Sequence, residues 1–192
     1  GTPVDDTPNN INSDAERVGN MNGDATPLRY SNTAAEIYGF DIDSGYQFSD
    51  QWRLDGQISF TRGKRDDIDD NLYRIPPLNG RLRLGYDGGN WGGHVTGVFA
   101  DEQDKISQTN NDDVNTEDPR TPGYAIMNVG MNWRPDFAGG GTRLTFGVDN
   151  LFDNNYEDHL SGFNRVQGSD VGDGERLPGP GRNIFVRLKH RF

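Results

Sequence analysis

Carboxylates dominate the side chains of this sequence that could do chemistry. Asp66, Asp67, Asp69 and Asp70 stand almost side by side, and Asn110 to Asp113 and Glu117-Asp118 form two further acidic groups. Oxygen donors of this kind suit Ca²⁺. The fixed ligand spacing and loop glycine of a calcium-binding loop are missing, however, so these groups read as solvated loops that orient or repel charged solutes. Asp41 and Asp43 stand two residues apart, the arrangement of a hydrolytic carboxylate pair, yet on a strand that spacing is also the background of any wet face. His94, His159 and His190 are the three histidines, in three separate segments, and the spacing of a zinc set is absent. Met21 and His159 are the metal-donor types to watch outside the strands. The chain has no cysteine, which excludes a disulfide framework, a thiolate cluster and a cysteine nucleophile. No nucleophile elbow, phosphate loop or zinc helix accompanies the remaining groups, so neither an enzyme nor a cofactor is expected.

The elements that would carry these groups are strands. From Tyr38 to Phe48, Tyr38, Phe40, Ile42, Tyr46 and Phe48 alternate with Gly39, Asp41, Asp43, Gly45 and Gln47, a period of two. Six more runs follow the same rule: Trp52, Leu54, Ile58 and Phe60; Leu78, Leu82, Leu84 and Tyr86; Trp91, Val95 and Phe99; Ala125, Met127, Val129, Met131 and Trp133; Leu144, Phe146 and Val148; and Ile184, Val186, Leu188 and Phe192. His190 is the one polar intruder on the last apolar face. Each run approaches the ~9–11 residues of a tilted strand that crosses a bilayer. No segment has a helical stripe.

The connections sort by length. Ser49 to Gln51, Asp87 to Asn90 and Pro135 to Gly141 are short, whereas Gly63 to Arg74, Asp101 to Pro122 and Asp153 to Gly181 are long and polar, and the two kinds alternate along the chain. Outer-membrane barrels have short periplasmic turns and long outer loops. Tyr46, Phe48, Trp52, Tyr86, Trp91 and Trp133 gather beside the short turns, with Phe192 at the same level, as an interfacial girdle would. The opposite stripe carries Arg53, Asp55, Arg81, Arg83, Asp149, Arg187 and Lys189, which suit a wet or plugged interior and would be costly against lipid.

Composition is permissive and then restrictive. Hydrophobic residues make up 31% and charged residues 26%, close to the range of disordered chains, so the pattern must decide. No run reaches the ~18 apolar residues of a spanning helix. A net charge of −11 argues against a nucleic-acid partner. The first residue is Gly1, with no charged-then-apolar leader after it, and the chain reads as part of something longer.

Two motifs near the C-terminus add a resemblance. Gly147, Val148, Asp149, Asn150, Leu151, Phe152 and Asp153, with Tyr156 after them, resemble the penultimate-strand signature of TonB-dependent outer-membrane receptors. Arg176, Leu177, Pro178, Gly179, Pro180, Gly181, Arg182 and Asn183, leading into a strand that ends Arg191-Phe192, resemble the C-terminus of the same family. From their residue types alone, both motifs are architectural: Asp and Asn satisfy loose backbone groups at strand ends, and Pro and Gly stop a loop before a strand begins. Val186, Leu188 and Phe192 look like the signal read by the barrel-assembly machinery, and His190 departs from the usual apolar choice there.

The resemblance implies an all-β fold, an antiparallel up-and-down transmembrane barrel. About seven strands would be its C-terminal portion, out of roughly 22 around a plug. Residues 1–33 are expected to be an outer loop or arm, and residues 34–192 the C-terminal barrel strands. Implied partners are outer-membrane lipid, the plug and remaining strands of a parent chain, the TonB complex through that plug, and the assembly machinery. The implied function is active uptake of a scarce ligand, a metal ion or chelate. Tyr73 to Gly80 and His159 to Val166 look most like the copper-receptor-like branch, in which Met21 and His159 would be donors suited to copper. The alternatives are a passive porin-like or structural barrel and a soluble carbohydrate-binding β-sandwich.

Overall fold

The computed structural model describes residues 34–108, 120–135 and 141–191, apart from 165, 167 and 173. Met21, Phe192 and the acidic residues 110–113 and 117–118 lie outside the described residues, as does the segment 1–33.

Seven strands follow one another: β1 (Ala35–Gln47), β2 (Trp52–Arg65), β3 (Asn79–Asp87), β4 (Trp91–Ala100), β5 (Tyr124–Trp133), β6 (Thr142–Asp149) and β7 (Asn183–His190). They form one sheet in which each strand pairs with the next, all antiparallel. Strand β2 runs on to Arg65, so the first long loop starts later than the sequence pattern suggests, and Leu78 falls just outside β3. The alternation of short turns and long loops stands as expected.

Register carries the two stripes across the sheet without a break. Phe40 lies opposite Phe60 and Ile42 opposite Ile58, while Leu54 pairs with Leu84, Leu84 with Val95, and Val95 with Val129. Val129 then faces Val148, and Val148 faces Ile184. A one-residue slip anywhere would reverse the faces, so a match over six pairings is a strong constraint.

Among the described residues the apolar stripe covers nothing: no hydrophobic side chain is buried, and Phe40, Leu82 and Val186 are 49%, 55% and 64% exposed. A sandwich would bury such a stripe against a second sheet. The opposite face is concave: polar residues from six successive strands line one hollow of about 890 Å³. A sheet bent with its wet side inward and its greasy side outward is a segment of barrel wall facing lipid. The short turns carry the aromatic ribbon. Tyr46, Phe48, Trp52, Tyr86 and Trp91 contact one another in series, with ring centroids 4.6–6.5 Å apart, and Trp133 lies opposite Trp91.

Candidate functional site

The inner face and the long loops hold the polar groups. On the inner face Asp41 accepts a hydrogen bond from Ser59, its neighbour in register, and Arg53 pairs with Asp55 at 2.7 Å. The candidate carboxylate pair is thus part of an ordinary polar wall. His94 lines the hollow and lays its ring over Gly130, where an added Cβ would meet the imidazole at 2.4 Å. Phe185 does the same to Gly147 at 2.2 Å, which places an aromatic ring on the wet face. His190 is on the outer stripe opposite Thr142, whose hydroxyl lies 2.8 Å from its Nδ1. Among the described residues no three His, Cys, Asp or Glu side chains come together as a metal-binding group.

At the opposite end the long loops tie to one another. Asp70, expected to be a solvated loop acid, is buried: its carboxylate accepts from the Ser107 hydroxyl at 2.9 Å and the Gln108 amide at 2.9 Å. It links the β2–β3 loop to the β4–β5 loop. Gln103 donates to the Ile75 carbonyl and Asn71 to the Ile106 carbonyl. The third loop joins through Arg74, which donates to the Leu160 carbonyl at 2.6 Å. Arg176 donates to the carbonyls of His159 and Ser161 and lies over the Phe163 ring at 4.4 Å, a cation–π distance. Buried Asn164 gathers the segment behind it, its side-chain nitrogen lying 2.6–3.2 Å from Val166 O, Ser169 Oγ, Val171 O and Gly172 O.

The two C-terminal motifs meet. Asn150, only 2% exposed, has φ 49°, and its amide donates to the carbonyls of Asn154 (2.8 Å) and Pro180 (3.2 Å). Its Oδ1 accepts from the Asn154 amide, and its own backbone N–H donates to Asn128 Oδ1. Leu151 N–H donates to the Met127 carbonyl at 2.7 Å, which anchors the motif to β5, and Phe152 is exposed. Asp153, with φ 57°, accepts from the Arg182 amide at 2.8 Å, and its second oxygen lies 3.5 Å from the Arg182 guanidinium. Tyr156 completes the contact: its carbonyl accepts from Gly179 N–H at 2.7 Å, and its ring lies where a Gly179 Cβ would be, 2.2 Å away. Asn183 opens β7 opposite Asp149, while Leu177 N–H bonds the Gly162 carbonyl. Pro178 and Gly181 complete the turn into β7, Gly181 facing Asp153. Val186 and Leu188 face outward on β7, 64% and 65% exposed.

Comparison with known proteins gives this geometry a lineage. The family described as TonB dependent receptor-like, beta-barrel, matches residues 4–151. The chain belongs to this family. TonB-dependent receptors reside in the Gram-negative outer membrane, in agreement with the outward apolar stripe. A solved structure titled copper transporter OprC is similar at 27% identity and a TM-score of 0.74, covering 84% of this chain and 24% of that one. The ferric citrate transporter FecA (19% identity, TM-score 0.61) and the ferric yersiniabactin uptake receptor FyuA from Yersinia pestis (15%, 0.59) share the fold. Each of these two matches covers 82% of this chain and 24% of the other. The chain thus spans about a quarter of the length of the solved receptors it matches. No curated protein matches.

Within this receptor wall His159 sits in the tied outer loops, its Nδ1 3.0 Å from the Thr121 hydroxyl. Burial, then the nearby Arg176 charge, pushes its pKa down to about 4; Asp158 opposes this and Arg74 adds to it. His159 is therefore neutral at pH 7. Because the folded-state value lies below the ordinary 6.5, stability is complete above about pH 6.5 and is lost as pH falls through about 4. Amide exchange in the 150–182 loop should rise across that window, and the His159 ring resonances should titrate with a midpoint near 4. A midpoint near 6.5 with flat exchange contradicts the burial.

Proposed function

We propose that this chain forms seven strands and three outer loops of a receptor that imports a scarce ligand across the outer membrane with energy delivered through TonB. The carrying observation is a continuous apolar stripe that is exposed on the convex side of a sheet whose concave side is polar. The three long loops are joined to one another by side-chain hydrogen bonds, as one outer assembly in which a ligand could be received. The wall binds lipid outside, and its wet hollow receives the plug of the complete receptor. Residues 34–192 are assigned to the wall and residues 1–33 to an outer loop.

Copper is the favoured cargo. The likeness to the copper transporter is higher in identity and in TM-score than those to FecA and FyuA. His159 is neutral, and with Nδ1 held by Thr121 its Nε2 is the nitrogen a copper ion would use. Cells lacking the complete receptor should lose growth and copper accumulation under copper limitation, and a plasmid copy should restore both. His159→Ala should lower copper accumulation, and Met21→Ala, made separately, tests the second candidate donor. Unchanged copper uptake in the deletion, with loss of ferric chelate uptake instead, transfers the assignment to iron.

The two C-terminal motifs serve as a clasp between the end of β6 and the start of β7. Val186, Leu188 and Phe192 supply the assembly signal.

A further inference from the structure

Four cations converge on the inner side of the short-turn end, beside the turn that joins β5 to β6 and the end of β7. Arg134, Arg143, Lys189 and Arg191 line a concavity of about 220 Å³ whose other lining residues are Gly141 and Thr142. No carboxylate lines it among the described residues. Arg143 lies directly opposite Lys189 in the β6–β7 register. Like charges placed so are destabilising, and a chain of net charge −11 has no shortage of acids to set there instead. Arg134 is tied at the other side of the hollow: its backbone N–H donates to the Asn90 carbonyl at 2.6 Å and its Nη1 to the Gly89 carbonyl at 3.3 Å. Its Nε is buried and has no hydrogen-bond partner. A buried guanidinium N–H without an acceptor, beside two cations held face to face, describes a cradle for an anion.

We propose that this hollow is an oxyanion site that takes a phosphate group on the periplasmic side, either free phosphate or the phosphate of a soluble phosphoester. Arg134 and Arg143 supply the forked donors that fit a tetrahedral oxyanion, and Lys189 and Arg191 supply charge. The bound group relieves the Arg143–Lys189 repulsion, so occupancy also staples β6 to β7. The side of the membrane rests on the receptor reading given above, in which short turns are periplasmic; the cation cradle itself does not.

The test uses the complete receptor, extracted from outer membranes in a neutral detergent. Inorganic phosphate is titrated in one arm and glycerol 3-phosphate, a soluble phosphomonoester, in the other, with binding followed by calorimetry and by thermal shift. Wild type should bind at least one probe and gain thermal stability from it. Arg143→Gln with Lys189→Gln should weaken binding about tenfold or more and, without anion, should melt higher than wild type because the opposed charges are gone. Arg134→Gln should weaken binding without that gain. Arg53→Gln, on distant β2, should bind as wild type does. Binding in the first arm identifies a free anion, and binding in the second arm alone identifies a phosphoester. Failure of wild type to bind either probe, or equal binding by the double variant, overturns the site. A receptor that fails to fractionate with outer membranes instead overturns the receptor reading.

Discussion

Leu82→Arg should prevent the receptor from accumulating folded in the outer membrane. Leu82 sits in the middle of β3 and is 55% exposed on the convex stripe, opposite Gly56 and Gly97. An arginine there meets hydrocarbon, at a cost of about 2–4 kcal/mol near the bilayer midplane. That lowers the folded-to-unfolded ratio by roughly 30- to 900-fold. The control lies at almost the same depth on the other face. Gln57 follows Gly56 on β2 and stands between Asp43 and Arg81 in register. Gln57→Arg therefore places the same charge inside the polar hollow, with one attractive and one repulsive neighbour. It should fold like wild type. Heat-modifiable mobility of the membrane-inserted receptor separates the two variants. Normal folding of Leu82→Arg would mean that this exposed stripe meets water and not lipid, and so removes the membrane assignment.

What is legible in the sequence follows from the range of the interactions. The stripes were readable because a strand has a period of two and because lipid on one side and water on the other leave no tolerance for error. Phe40, Leu82 and Val186 thus declared their face without a partner. The sorting of loops and the aromatic ribbon were also local signals. What the sequence concealed depends on neighbours fixed by register or by loop closure. Arg143 and Lys189 look like ordinary wet-face residues until the β6–β7 pairing sets them opposite each other. Phe185 breaks the alternation, and only Gly147 across the strand pair explains why a ring fits there. Asp70 reads as solvated in its run of acids, yet Ser107 and Gln108, reached through an aperiodic loop, bury it. The paired motifs could be recognised as turn-formers, but not as each other's partners.

That partnership makes Asn150 the other position of large effect. Asn150→Ala removes the two donations to Asn154 O and Pro180 O and the acceptor for Asn154 N–H. Each buried group left without a partner costs about 1–3 kcal/mol. The left-handed backbone adds roughly 1–2 kcal/mol for a residue with a Cβ and no compensating local bond. A total of at least about 3 kcal/mol should detach the start of β7 from the end of β6. Asn150→Gly keeps the backbone permissive and loses only the bonds, so it should be less damaging by roughly the left-handed term. Arg182→Ala removes only an exposed ion pair, because the residue 182 amide still donates to Asp153; its cost should stay below about 1 kcal/mol. Hydrogen exchange at the amides of Asn154, Gly179 and residue 182 reads the clasp directly, and protection should fall in the order Arg182→Ala, Asn150→Gly, Asn150→Ala. Equal protection in all three would mean that the strand ends are held by their ladder alone. The full order would mean that one buried amide, by satisfying a turn on each side of the long loop between β6 and β7, fixes where the last strand of the wall begins.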